Sequence, residues 1–309
     1  MHKLFAEYVD KILTLWSADE RAPLDGFDRV PFIGHLPEDM PPNLQVLVLG
    51  LNPSFSVESL KRSWDVVRKT CSPIGEATVL ELLSWPLPEN QGKRDAAKLA
   101  IETLDRYSRK NHAIFYRPIE RLMNAAGLES DKWLHMDLFP IRETSQRRLE
   151  AELKFPKRHE RERFATLPQN AAYRKARTMH PALRSTLDET LQLICALKPP
   201  IVVVLNSFAS KLLEYCLDLR LQPNGHHYRS DATDGTCWIL SSQLSGGATS
   251  LYGMERLLAD LRDAVRGNRG LVGGAATEAE RAAEAEAIAD AETDWDKFTS
   301  DETQASTRS

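Results

Sequence analysis

The residues best placed to do chemistry are Gly50-Leu51-Asn52-Pro53-Ser54. A carboxamide such as Asn52 both donates and accepts hydrogen bonds but takes no proton at neutral pH, so its chemistry is positioning. The preceding run, Leu44-Gln45-Val46-Leu47-Val48-Leu49, reads as a buried inner strand of a parallel sheet. Gly50 lets the backbone turn sharply, and Pro53 ends the sheet ladder. Asn52 is thereby presented at the carboxyl end of the strand, the edge where open α/β sheets bind ligands. Asn-Pro is also a common turn pair, so a plain strand-to-loop turn is the alternative.

The elements that must hold such an edge are legible along the chain. Leu4, Phe5, Tyr8, Ile12, Leu15 and Trp16 recur at helical spacing, predicting an amphipathic opening helix over 3–16. Residues 23–42 are Pro-rich loop. A helix is expected over 112–128, with Phe115, Ile119, Leu122, Met123 and Ala126 on one face and Gly127 as its C-cap. Trp133–Leu138 reads as a second strand, and 183–197 as a helix stopped by Pro199-Pro200. The β-branched run Ile201–Leu205 is the clearest strand. Helix over 207–217, strand over 236–240 and a closing helix over 251–265 complete the pattern. Strands separated by helices imply parallel crossovers. The expected fold class is α/β: a three-layer α/β/α sandwich around a central, mostly parallel sheet of about four strands.

Composition sets the outer bounds. The chain has 309 residues, 42% of them hydrophobic, enough for a sizeable core. Its net charge of −4 is uneven: residues 267–309 carry −6 and residues 1–266 carry +2. The expected organisation is one domain over 1–266, with a basic insertion over 142–184, followed by an acidic, disordered tail over 267–309. The four cysteines, Cys71, Cys195, Cys216 and Cys237, form no CxxC pair, so no metal site has spacing support. Without a disulfide framework, a signal-peptide pattern or an apolar run long enough to span a bilayer, a soluble cytoplasmic protein is expected.

Five segments in fixed order resemble the uracil-DNA glycosylase superfamily. Gly50-Leu-Asn-Pro-Ser54 is similar to its first motif in the Gly-x-Asn-Pro form. Phe115 to Gly127 resembles the helix that follows that motif, and Asp137-Leu-Phe-Pro-Ile-Arg142 sits where the family carries its base-reading strand end. Pro181 through Leu205 resembles the next helix and strand. Leu240-Ser-Ser-Gln-Leu-Ser245 falls where the last motif would be. The likeness spans roughly residues 44–265.

The resemblance implies hydrolysis of the N-glycosidic bond of a uracil or other altered base, flipped out of DNA and into a pocket. It implies no cofactor and no metal. Asn52 takes the position that orients the attacking water. Phe55 follows closely and could stack on the flipped base; equally, it could lid the core. Ser54, Ser242 and Ser245 match phosphate contacts, and Leu244 matches the wedge that fills the gap left by the base. An ordinary Ser/Gly turn would explain the last three as well. Asp137 stands near where many relatives place Asn. An ionised carboxylate only accepts hydrogen bonds and would repel a base carbonyl. Either Asp137 is protonated, or the alignment is displaced, or the preferred base is not uracil; a loop-capping carboxylate is a further alternative.

One departure bears on activity. The family's motif His would fall on Leu240, which cannot stabilise a leaving anion, and His226 and His227 lie upstream. The stretch 142–184 nets +7, which suits phosphate tracking, although its interleaved Glu residues also suit a solvated helix. The expected partner is DNA, single- or double-stranded, with no membrane and a monomeric chain. A glycosylase-fold module that binds nucleic acid or nucleotide without cleaving it is the alternative function. A hydrolase of free nucleosides or nucleotides on the same fold is a third.

Overall fold

The computed structural model describes residues 3–17, 43–51, 113–140, 149, 181–222, 227–230, 233, 235–242, 244 and 251–272. They fall into two compact units. The first holds the residues described over 3–17, 50–51, 136–140, 149 and 181–197; the second holds those over 43–49, 113–135 and 198–272.

In the first unit, helix α1 (Lys3–Ser17) packs on a helix over Pro181–Leu197. Phe5, Tyr8, Val9 and Ile12 of α1 are buried, the face that the sequence spacing predicts. The Tyr8 hydroxyl meets Thr190 Oγ1 at 3.1 Å, and Lys11 Nζ donates to Glu189 at 2.7 Å.

The second unit carries most of the sheet. The strands of the sheet are β1 (Val46–Gly50), β2 (Trp133–Asp137), β3 (Ile201–Leu205), β4 (Arg220–Leu221), β5 (Tyr228–Arg229) and β6 (Cys237–Ser241), in the order β2-β1-β3-β6-β5-β4. β1 and β3 are parallel, Val46 opposite Ile201, and β3 and β6 are parallel, Ile201 opposite Cys237. β4 and β5 are antiparallel to each other, and β5 is antiparallel to β6. The sheet is therefore mixed and has six strands rather than about four. The two extra strands hold two residues each and carry no apolar alternation to announce them.

Between β1 and β2 in the chain lies α2 (Ala113–Ala125), which keeps Pro118 inside it. α3 is the helix over Pro181–Leu197, α4 spans Ser207–Cys216 and α5 spans Leu251–Val272. Alternate strand residues Val46, Val48, Ile201, Val203, Leu205, Cys237 and Ile239 form one core cluster. Ile119, Leu122 and Met123 of α2, and Leu257, Leu258 and Leu261 of α5, complete it. The opposite row, Leu47, Leu49, Val202, Val204 and Trp238, is also fully buried. Burial on both faces is why these strands read as unbroken apolar runs. α4 packs against β3 and β6.

Helix ends follow from local chemistry. Gly127 has φ 74°, its N–H donates to Asn124 O, and the Leu128 N–H donates to Met123 O. These bonds make a Schellman turn, and Leu128 and Met123 share the core cluster. Arg262 of α5 then donates twice, through Nε and Nη2, to the terminal carbonyl of Ala125, at 3.0 and 2.8 Å. A cation there complements the negative end of α2. At the end of α3, Lys198 takes φ 47° just before Pro199. α5 runs past Gly267 to Val272, beyond the closing helix expected over 251–265. No described helix is long and apolar enough to cross a membrane.

Candidate functional site

Asp137 closes β2, and β1 ends beside it. Past the strand ends the ladder continues: the Leu138 N–H donates to Gly50 O at 3.0 Å, and the Phe139 N–H donates to Leu51 O at 2.8 Å. At the strand starts, Gln45 and Val46 N–H both reach Lys132 O. Start pairs with start and end with end, so β1 and β2 run parallel. The backbone just before Asn52 is thus pinned to the backbone just after Asp137. The two motif segments, more than eighty residues apart in the chain, meet at one strand edge as far as Leu51. Asn52, Ser54 and Phe55 lie outside the described residues.

Asp137 is 7% exposed. Loss of water around its carboxyl pushes its pKa up to about 7, because burial penalises the charged form. Among the described residues none donates a hydrogen bond to it or pairs with it as a cation. A carboxyl in this state is divided between an acceptor-only anion and a neutral group that both donates and accepts. A loop-capping role needs donors to the carboxylate, and no described backbone supplies them.

Tyr8 belongs to the same unit and feels Asp137. Burial chiefly, and the nearby charges of Asp137 and Glu189 to a smaller degree, raise its phenol above the ordinary range, with the Thr190 bond opposing. Thr190 Oγ1 gives its single proton to Thr186 O at 3.0 Å. Its lone pair therefore accepts from the Tyr8 hydroxyl, and Tyr8 remains a neutral donor. From sequence Tyr8 reads only as one member of an apolar helix face; nothing in its spacing marks it as a neighbour of Asp137.

In the second unit the end of β6 carries the last motif. Ser241 O accepts from Ser210 Oγ of α4 at 3.0 Å, and Ser242 is half-buried. Ser245 lies outside the described residues. Leu244 does not stand at a loop tip: it is 4% exposed and belongs to the core cluster with Leu257 and Leu261. A side chain so placed would have to leave the core to act as a wedge. Leu240 lies within β6, in register with Val204, which is where the sequence places it.

Asn206, which sequence reasoning left unused, sits at the carboxyl end of β3. Its Oδ1 accepts from the N–H groups of Phe208 (2.9 Å) and Ala209 (3.0 Å), capping α4. An Asn between a β-branched run and Ser-Phe-Ala is the signal that would have found it. Asn206→Ala should cost about 1 kcal/mol, since two buried amides lose their acceptor. Urea denaturation checks this, and a loss below a few tenths of a kcal/mol would contradict it. No family model matches this chain, and neither does any curated protein.

Proposed function

We propose that this chain is a DNA glycosylase-like hydrolase that cuts the N-glycosidic bond of a flipped uracil or other altered base, using the strand edge where β1 and β2 end. The observation that carries the reading is the burial of Asp137 at the strand edge where β1 and β2 are joined. Uracil presents a donor flanked by carbonyl acceptors, so its reader must donate and accept at once. A carboxyl raised to about 7 supplies both whenever it is neutral, as an amide would. The raised carboxyl supports the protonated form as the way an acidic residue could serve a uracil-reading position. Asn52, which follows the pinned Gly50-Leu51 backbone, would orient the water that attacks the sugar carbon as the base departs.

The test is a set of oligonucleotides, each carrying one uracil, hypoxanthine, xanthine or mispaired thymine, single- and double-stranded, with alkali to cut abasic sites. Product from one of them should fall about a hundredfold in Asn52→Ala, the scale of a misplaced reactant. Uracil release should also decline above pH 7 as the Asp137 carboxyl ionises, and stay level in Asp137→Asn. A wild-type rate that climbs steadily from pH 6 to 9 would refute the role given to Asp137.

A catalytically silent module that binds nucleic acid or nucleotide is the second reading. It is favoured by the burial of Leu244 and by Leu240 standing where the family carries a His. No product from any oligonucleotide, with binding retained, would select it.

A further inference from the structure

The antiparallel β4–β5 ladder brings two positive charges together. Arg220 is directly opposite Arg229, and Leu221 is opposite Tyr228. Directly opposed residues project from the same face of a sheet, and like charges so placed repel. Both arginines line one cavity of about 240 Å³, together with Asp218, Gln222 and Gly235. Asp218 Oδ2 accepts from Arg220 Nη2 at 2.8 Å, held there by a backbone with φ 51°. Among the described residues no carboxylate pairs with Arg229, and the described charged groups of the cavity, Arg220, Arg229 and Asp218, sum to a net positive charge.

The hydroxyls at the rim have their protons committed. Ser230 Oγ donates to Leu217 O, and Thr236 Oγ1 donates to Pro199 O. Gln222 Nε2 gives one proton to Arg220 O and keeps a second. Among the described lining side chains, the Arg229 guanidinium and one Gln222 N–H remain to donate to a ligand, beside the positive charge of Arg220. Gly235 has φ 81° and nothing within 4 Å of where a Cβ would stand, which leaves that wall open. Planar forks of donors with surplus positive charge match tetrahedral oxyanions.

We propose that this cavity binds a phosphate group between Arg220 and Arg229. The repulsion across the ladder is then relieved by the ligand. The inference stands apart from the glycosylase reading, because it uses neither Asn52 nor Asp137. The phosphate could belong to a nucleic-acid backbone or to a free phosphate ester; the chemistry is shared.

The full chain is melted in sodium chloride, in inorganic phosphate at equal ionic strength, and in chloride with a short unmodified oligonucleotide. Wild type and Arg256→Gln, a charge control on α5, should gain on the order of 2 °C from ligand. Arg229→Gln should melt no lower than wild type in chloride, since repulsion is relieved, yet lose most of the ligand gain, with affinity down about tenfold. A gain from phosphate alone assigns a free phosphate ester; a gain from the oligonucleotide alone assigns a phosphodiester backbone. Either supports the site. No gain from either ligand in wild type, or an equal gain in Arg229→Gln, overturns it.

Discussion

Asp137→Asn should stabilise the protein by up to about 4 kcal/mol at pH 8 and change its stability little at pH 4. The unfolded carboxyl ionises near its ordinary value of 3.8, the folded one at about 7. Below the lower value both states hold the proton, and the group contributes nothing that depends on pH. Between the two the unfolded chain has released its proton while the folded chain keeps it. Stability therefore falls as pH rises, by about 1.4 kcal/mol per unit at most, and levels off above 7. An Asn carries no such proton. Any hydrogen-bond deficit of the new amide offsets the whole curve equally, so the difference between pH 4 and pH 8 is the diagnostic quantity. Urea denaturation of both proteins across that range measures it. Parallel curves would mean that the carboxyl is hydrated and ionised in the fold, and the base-reading role would go with it.

Trp238→Ala should cost about 3–5 kcal/mol, the range for removing a large core aromatic. Trp238 is 0% exposed in β6, between Val202 on β3 and Tyr228 on β5 by register. Its Nε1–H donates to Thr233 Oγ1 at 2.9 Å, so truncation leaves both a void and an unmatched hydroxyl. Trp238→Phe keeps much of the volume and should cost about 1–2 kcal/mol. Chemical denaturation separates the two. A loss below 1 kcal/mol for the Ala variant would show that β6 is peripheral to stability.

The parts legible in the sequence are those governed by short-range physics. Ile201–Leu205 announces itself because a strand covered on both faces needs apolar residues at every position. Gly127 announces a helix end because φ 74° suits no other residue as well. The hairpin of Arg220–Leu221 and Tyr228–Arg229 stays hidden because two-residue, largely exposed strands impose no pattern. Asp137 is legible as a strand end but not as a buried acid: its burial comes from residues that only the fold collects. Leu244, read among serines and glycines, looks like a loop residue, yet it is buried in the same core cluster as Leu257 and Leu261 of the closing helix. Gly267 suggests a break, but one glycine weakens a helix by only about 1 kcal/mol, and α5 continues through it.

The strand order has a bearing on how the chain is made. The first strand leaves the ribosome long before its central neighbour exists, since Val46 pairs with Ile201, roughly 150 residues later, and such distant pairings are closed slowly. During that interval β2 can cover one edge of Val46-Leu47-Val48-Leu49, but its other edge stays adhesive and without a mate. Chaperone demand in the cell should therefore be highest while translation passes between those two strands.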